Sequence, residues 1–86
     1  MKGFVYILKS LKDNKSYIGS SPNVYRRLNE HNKGYVKSTK SRLPFVLINI
    51  LEFENLDVAR KMENKFKRSH NSLNRELIKQ RRLVHR

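Results

Sequence analysis

The chain has 86 residues, 37% of them hydrophobic, and no cysteine, which allows one core and one domain and excludes disulfides and thiolate metal sites. No apolar run approaches the roughly 18 residues of a membrane-spanning helix, and Met1-Lys2-Gly3-Phe4 leads into strand-like sequence with no signal-peptide pattern, so a cytoplasmic protein is expected. Twenty Lys and Arg against seven Asp and Glu leave a formal net charge of +13, a self-repulsion that points to a polyanionic partner, nucleic acid phosphate first among them.

In chain order, Phe4 to Lys9 is rich in β-branched and aromatic residues and reads as a strand. Asp13-Asn14 reads as a turn and Ser16 to Ser20 as a second strand, so the chain opens on a β-hairpin. If the hairpin pairs residues whose numbers sum to an odd value, Tyr6 and Tyr17 share a face of the sheet; a bulge would break that parity. Ser21-Pro22 reads as an N-cap followed by a first-turn proline, for a helix from Pro22 to Asn32 closed by Gly34 in a left-handed cap. Tyr35 to Pro44 has no period and reads as a basic loop, with Lys37, Lys40 and Arg42 set among Ser38, Thr39 and Ser41. Phe45 to Phe53 is apolar on both faces, which predicts a central strand. Asn55 caps a helix from Leu56 to about Arg68, with Asp57 in its first turn. A weaker helix from Leu73 to Leu83, marked by Leu73, Leu77 and Val84, runs into a basic tail over Lys79 to Arg86.

The order β-β-α-β-α-α predicts an α+β fold, a small and mainly antiparallel three-stranded sheet flanked by helices. One domain is expected over 1–86, with a core over about 4–68 and a basic C-terminal helix and tail over 69–86.

Few residues stand out for chemistry. Ala59, Met62 and Phe66 define the buried stripe of the second helix, and Glu63 falls inside it. It either pairs at the stripe edge with Lys67 or Arg60, or faces an inner cleft and holds a divalent cation whose shell water and phosphate oxygens complete. Arg27 and His31, four apart, share a helix face. They are a solvated basic face or a phosphate grip beside a proton carrier. Tyr6 and Tyr17 are either packing or phenols whose acidity nearby positive charge would raise. Gly19 has no side chain and so admits a phosphate or another backbone.

Taken together, Val5-Tyr6, then Tyr17-Ile18-Gly19 eleven residues on, Arg27-Leu28 with His31, and Glu63 within ARKMENKFK resemble the GIY-YIG endonuclease superfamily. The small stand-alone bacterial branch, related to the nuclease module of the excision-repair endonuclease, is the most similar. VYILKSLKDNKSYIGS, RRLNEHNKG and KSTKSRLPF carry the same likeness, which extends from about Phe4 to Arg68. The chain departs from the pattern in having Phe4 where the first motif has glycine, Ser20 where the repair module often has lysine, and SHNSLNRELIK where a glycine-containing turn is usual.

The resemblance implies metal-dependent hydrolysis of DNA phosphodiester bonds and a role in DNA repair or processing, and the lack of an obvious recognition helix or zinc module predicts little sequence specificity. It implies Tyr6 as general base with Tyr17 as the alternative, Arg27 neutralising the phosphate, His31 assisting Tyr6, and Glu63 holding Mg²⁺ or Mn²⁺. Gly19, Lys37, Thr39, Lys40 and Arg42 would contact the nucleic acid. The expected partner is DNA, structured or single-stranded, with no membrane association and a monomeric state. The competing expectation is a non-catalytic nucleic-acid-binding protein on the same fold.

Overall fold

A computed structural model describes residues 1–84. His85 and Arg86, the end of the basic tail, lie outside the described residues, as do the side chains beyond Gln80. The elements are β1 (Gly3–Ser10), β2 (Ser16–Ser21), α1 (Val24–Asn32), a 3₁₀ turn (Lys40–Arg42), β3 (Phe45–Phe53), α2 (Leu56–Arg68) and α3 (His70–Val84). They form the α+β arrangement in the order β-β-α-β-α-α, with one antiparallel sheet ordered β2-β1-β3.

The strand order corrects the expectation for β3: β1 is central and β3 is an edge. β1 is buried along almost its whole length because both faces are covered. Its even-numbered side chains Tyr6 and Leu8 join Val24 and Leu28 of α1 and Phe45, Leu47 and Ile50 of β3. Its odd-numbered Val5 joins Leu51, Ala59 and Phe66, with Met62 of α2 and Leu73 and Leu77 of α3 against them. The apolar look of β3 has another cause. Its pairing with β1 slips by one residue between Ile7 and Leu8, so Phe45, Leu47 and Ile50 lie on one face despite their mixed parity. Val46 and Ile48 are left 39% and 46% exposed.

The free edge of β3 is closed at both ends by side-chain amides. Asn32 of α1 accepts from Phe45 N at 2.7 Å and donates to Phe45 O at 3.0 Å. The buried Gln80 of α3 accepts from Glu52 N at 2.6 Å and donates to Glu52 O at 2.9 Å. Each amide reproduces the two bonds a neighbouring strand would make.

Helix α1 starts two residues later than the sequence predicts. Asn23, not Ser21, is its N-cap, accepting from Arg26 N at 3.1 Å, while Ser21 Oγ closes a tight turn onto Asn23. Gly34 follows the helix with φ +77° and donates to His31 O at 2.9 Å, as a left-handed cap requires. Asn55 caps α2 as expected, accepting from Val58 N at 2.9 Å. Ser69 separates α2 from α3 and its Oγ accepts from Ser72 N at 3.2 Å, which starts α3 at His70, three residues before the predicted Leu73.

The basic loop is tied to the hairpin turn. Buried Ser10 donates from Oγ to Arg42 O at 2.6 Å and accepts from Lys12 N and Asp13 N at 3.1 and 3.2 Å. The Arg42 guanidinium donates to Asp13 Oδ2 at 2.8 Å and to Lys15 O at 3.1 Å. The Arg42 hydrogen bond, helped by that from Lys15 N, holds the Asp13 carboxyl far below its usual range.

Candidate active site

Tyr6 on β1 faces α1. Its register partner on β2 is Gly19, and Leu8 pairs with Tyr17, so the pairing sums are odd and both phenols lie on the same face. The rings stand 6.4 Å apart, and His31 of α1 sits 5.8 Å from Tyr6 and 5.0 Å from Tyr17, centroid to centroid. The bulge falls on the other ladder and leaves this parity intact.

His31 does not lie on a solvated helix face. It is 0% exposed, and both ring nitrogens are engaged: Nε2 with the Tyr6 hydroxyl at 3.0 Å and Nδ1 with Thr39 Oγ1 at 2.7 Å. Burial, and then the Arg27 charge, lowers its pKa below the ordinary 6.5, with Glu30 opposing, so the ring is neutral near pH 7. Tyr6 is 1% exposed. Burial pushes its phenol from 10.0 up to about 12; the neighbouring Arg27 guanidinium pulls the other way, and Tyr17 and Glu63 add to the rise.

The Arg27 guanidinium on α1 lies near enough for its charge to act on the Tyr6 phenol, and it is paired through Nη1 with Glu30 Oε1 at 3.0 Å. Burial works against its charge, but Glu30 and Tyr6 more than offset that and raise its pKa.

Glu63 approaches from the opposite face, on α2. Its Oε1 accepts from Ser20 Oγ at 2.6 Å and its Oε2 is paired with Lys67 Nζ at 2.7 Å. The pairing with Lys67 expected of a stripe-edge carboxylate is therefore made. The same carboxylate also reaches β2 one residue from Gly19, close enough for its charge to act on Tyr6. Tyr6, Tyr17, Arg27 and His31 thus gather on one face of the sheet, and Glu63 reaches β2 from the other through Ser20.

The remaining expected contacts divide. Lys37 and Lys40 are exposed. Thr39 is 0% exposed and turned inward onto His31, so it does not face a nucleic acid strand. Arg42 is engaged with the hairpin turn and also lies over the Phe45 ring at 5.4 Å. Gly19 leaves no room for a phosphate on this face: a Cβ there would come within 2.5 Å of the Tyr6 hydroxyl oxygen, so the Tyr6 ring fills that space. Ser20, Ser10 and Gln80 were not expected to matter. A serine's partner three elements away leaves no mark on local spacing.

The GIY-YIG catalytic domain matches this chain over residues 2–77. The chain belongs to the GIY-YIG family. Among its relatives, a UPF0213 protein of Syntrophus aciditrophicus is 37% identical over 81 residues, covering 92% of each chain. A UPF0213 protein of Listeria monocytogenes is 42% identical over 66 residues, covering 76% of this chain and 73% of that one. A UPF0213 protein of Bacillus halodurans, solved by solution NMR, is 31% identical, covers 92% of this chain and 84% of that one, and aligns with a TM-score of 0.49. No helix among the described residues is long and apolar enough to cross a membrane.

Proposed function

We propose that this GIY-YIG protein is a divalent-metal-dependent endonuclease that hydrolyses DNA phosphodiester bonds with little sequence preference, in DNA repair or processing. The observation that carries the reading is the grouping of Tyr6, Tyr17, Arg27 and His31 on one face, with Glu63 held at β2 from the other by Ser20 and near enough for its charge to act on Tyr6. Pure binding needs no inward carboxylate in a protein of net charge +13.

Among the described residues no cluster of three or more His, Cys, Asp or Glu is present to cage a metal. A single half-buried carboxylate, oriented by Ser20 Oγ at 2.6 Å, fits Mg²⁺ or Mn²⁺ held by one protein oxygen, with water and substrate phosphate as the other ligands. Lys67 is the group such an ion would displace from Oε2. Bound there, the ion supplies Lewis-acid stabilisation of the scissile phosphate and the departing 3′ oxygen.

Arg27 offers its guanidinium to the charge that develops on the pentavalent phosphate. Tyr17, half-buried beside Tyr6, orients the attacking water or the phosphate. Tyr6 accepts the water's proton as it hands its own to His31 Nε2, so the buried pocket never holds a free phenolate, the form its burial disfavours. Tyr17 is the alternative base. Lys37 and Lys40 hold the backbone without reading bases.

The test is Glu63→Ala beside wild type on duplex, flapped, branched and single-stranded DNA, with Mg²⁺, Mn²⁺ or chelator. Metal-dependent nicking should fall by at least about 100-fold while DNA affinity stays equal or rises, because a negative charge has been removed. Nicking that survives both the substitution and the chelator overturns the reading. Wild-type binding without nicking on any substrate would favour the non-catalytic binder.

A further inference from the structure

The buried hydrogen-bond chain behind Tyr6 ends on Thr39, and its direction is fixed by what each member can donate. We propose that Thr39 sets the tautomer of His31: its hydroxyl oxygen accepts Nδ1–H, which leaves the Nε2 lone pair facing the Tyr6 phenol. Thr39 is thereby a positioning residue for Tyr6, not a nucleic-acid contact.

The chain runs Tyr6 Oη, His31 Nε2 (3.0 Å), His31 Nδ1, Thr39 Oγ1 (2.7 Å), Val36 O (3.4 Å). A neutral imidazole has one N–H, a hydroxyl has one hydrogen, and a carbonyl only accepts. In one direction, Tyr6 O–H donates to Nε2, Nδ1–H donates to Thr39, and Thr39 O–H donates to Val36 O, so every hydrogen has an acceptor. In the reverse direction, Thr39 O–H donates to Nδ1 and Nε2–H donates to the Tyr6 oxygen. The phenol hydrogen then needs another acceptor, and among the described residues the side chain hydrogen-bonded to this hydroxyl is His31 alone, while the neighbouring Arg27 only donates. Tyr6, His31 and Thr39 are each at most 1% exposed, so a direction that satisfies every hydrogen within the protein is favoured over one that leaves the phenol hydrogen to solvent. Among the described residues no buried side-chain nitrogen or oxygen lacks a partner, and the first direction also gives every hydrogen of this chain an acceptor.

The consequence for catalysis rests on the nuclease reading; the tautomer itself does not. With Nε2 as acceptor, the Tyr6 O–H bond breaks as the Nε2–H bond forms. The electron pair stays on the phenol oxygen, which takes the proton of the attacking water. The resulting imidazolium keeps Nδ1–H on Thr39. In the other tautomer Nε2 already carries a hydrogen and cannot take the proton.

The experiment uses protein labelled with ¹⁵N in the histidine ring. Wild type and Thr39→Ser should show the one-bond ¹H–¹⁵N coupling of His31 at Nδ1 and none at Nε2. Thr39→Val, which keeps the shape and removes the acceptor, should bring an Nε2–H species into view and lower nicking by tenfold or more, with Thr39→Ser within about threefold of wild type. A wild-type ring protonated at Nε2, or Thr39→Val with Nδ1–H alone, overturns the proposal. If Thr39→Val does not fold, the wild-type and Thr39→Ser spectra decide. A wild type with Nδ1–H that nicks no DNA sinks the nuclease reading and leaves the tautomer assignment standing.

Discussion

Gly19→Ala inserts one methyl group at the centre of the site. The new Cβ would lie 2.5 Å from the Tyr6 hydroxyl oxygen and 2.6 Å from Cζ. Reaching an ordinary contact of about 3.5 Å takes a shift of roughly 1 Å. The ring cannot yield freely, because it lies under α1 at 1% exposure and is bonded to His31 Nε2 at 3.0 Å. Three terms compete. Alanine gains about 0.5–1 kcal/mol over glycine in a strand, overpacking costs about 1–3 kcal/mol, and a broken buried hydrogen bond costs about 1–3 kcal/mol more. The losses win, by roughly 2–4 kcal/mol. For a domain of this size each kcal/mol moves Tm by about 4–8 °C, so Tm should fall by roughly 8–32 °C in a circular-dichroism melt. The His31 ring resonances should move with it. A Tm within about 3 °C of wild type, with those resonances unmoved, would show that Tyr6 does not occupy the space over Gly19.

Alkaline titration isolates Tyr6. Because the folded state holds its proton more tightly than the unfolded chain, whose phenol has the ordinary value of 10.0, stability is intact below pH 10 and declines as pH rises towards about 12. The slope reaches about 1.4 kcal/mol per pH unit, and Tyr6→Phe should lack that part of the decline in melts followed across this range. The loop cations separate by role. Arg42→Met should lower Tm by a few degrees, through loss of the bonds to Asp13 and the hairpin carbonyls. The double substitution Lys37→Ala with Lys40→Ala should leave Tm in place and make the slope of log affinity against log salt less steep by roughly 2. Unchanged salt dependence would remove both lysines from the DNA contact set.

Periodicity and parity were legible where one element decides the outcome. Asn55 and the stripe of Ala59, Met62 and Phe66 define α2 locally, and odd pairing sums alone put Tyr6 and Tyr17 side by side. What escaped depends on register and on contacts far apart in sequence. The apolar run of β3 reads as a central strand because a bulge is invisible in composition; its slip collects Phe45, Leu47 and Ile50 on one face. Gly19 reads as space for a ligand until its partner across the ladder is known to be Tyr6. Thr39 and Arg42 sit in an aperiodic basic segment where charge counting treats every polar residue as surface. Only the fold shows one turned towards His31 and the other towards Asp13.

The two amide plugs on β3 bear on how this molecule avoids its own copies. Mutual repulsion from a net charge of +13 keeps molecules apart in dilute salt, but ions screen it within roughly 10 Å at 0.1 M. Asn32 and Gln80 occupy the hydrogen-bonding positions of Phe45 and Glu52 whatever the ionic strength. An incoming β-ribbon is therefore refused at both ends of the β3 edge even where screening has silenced the charge.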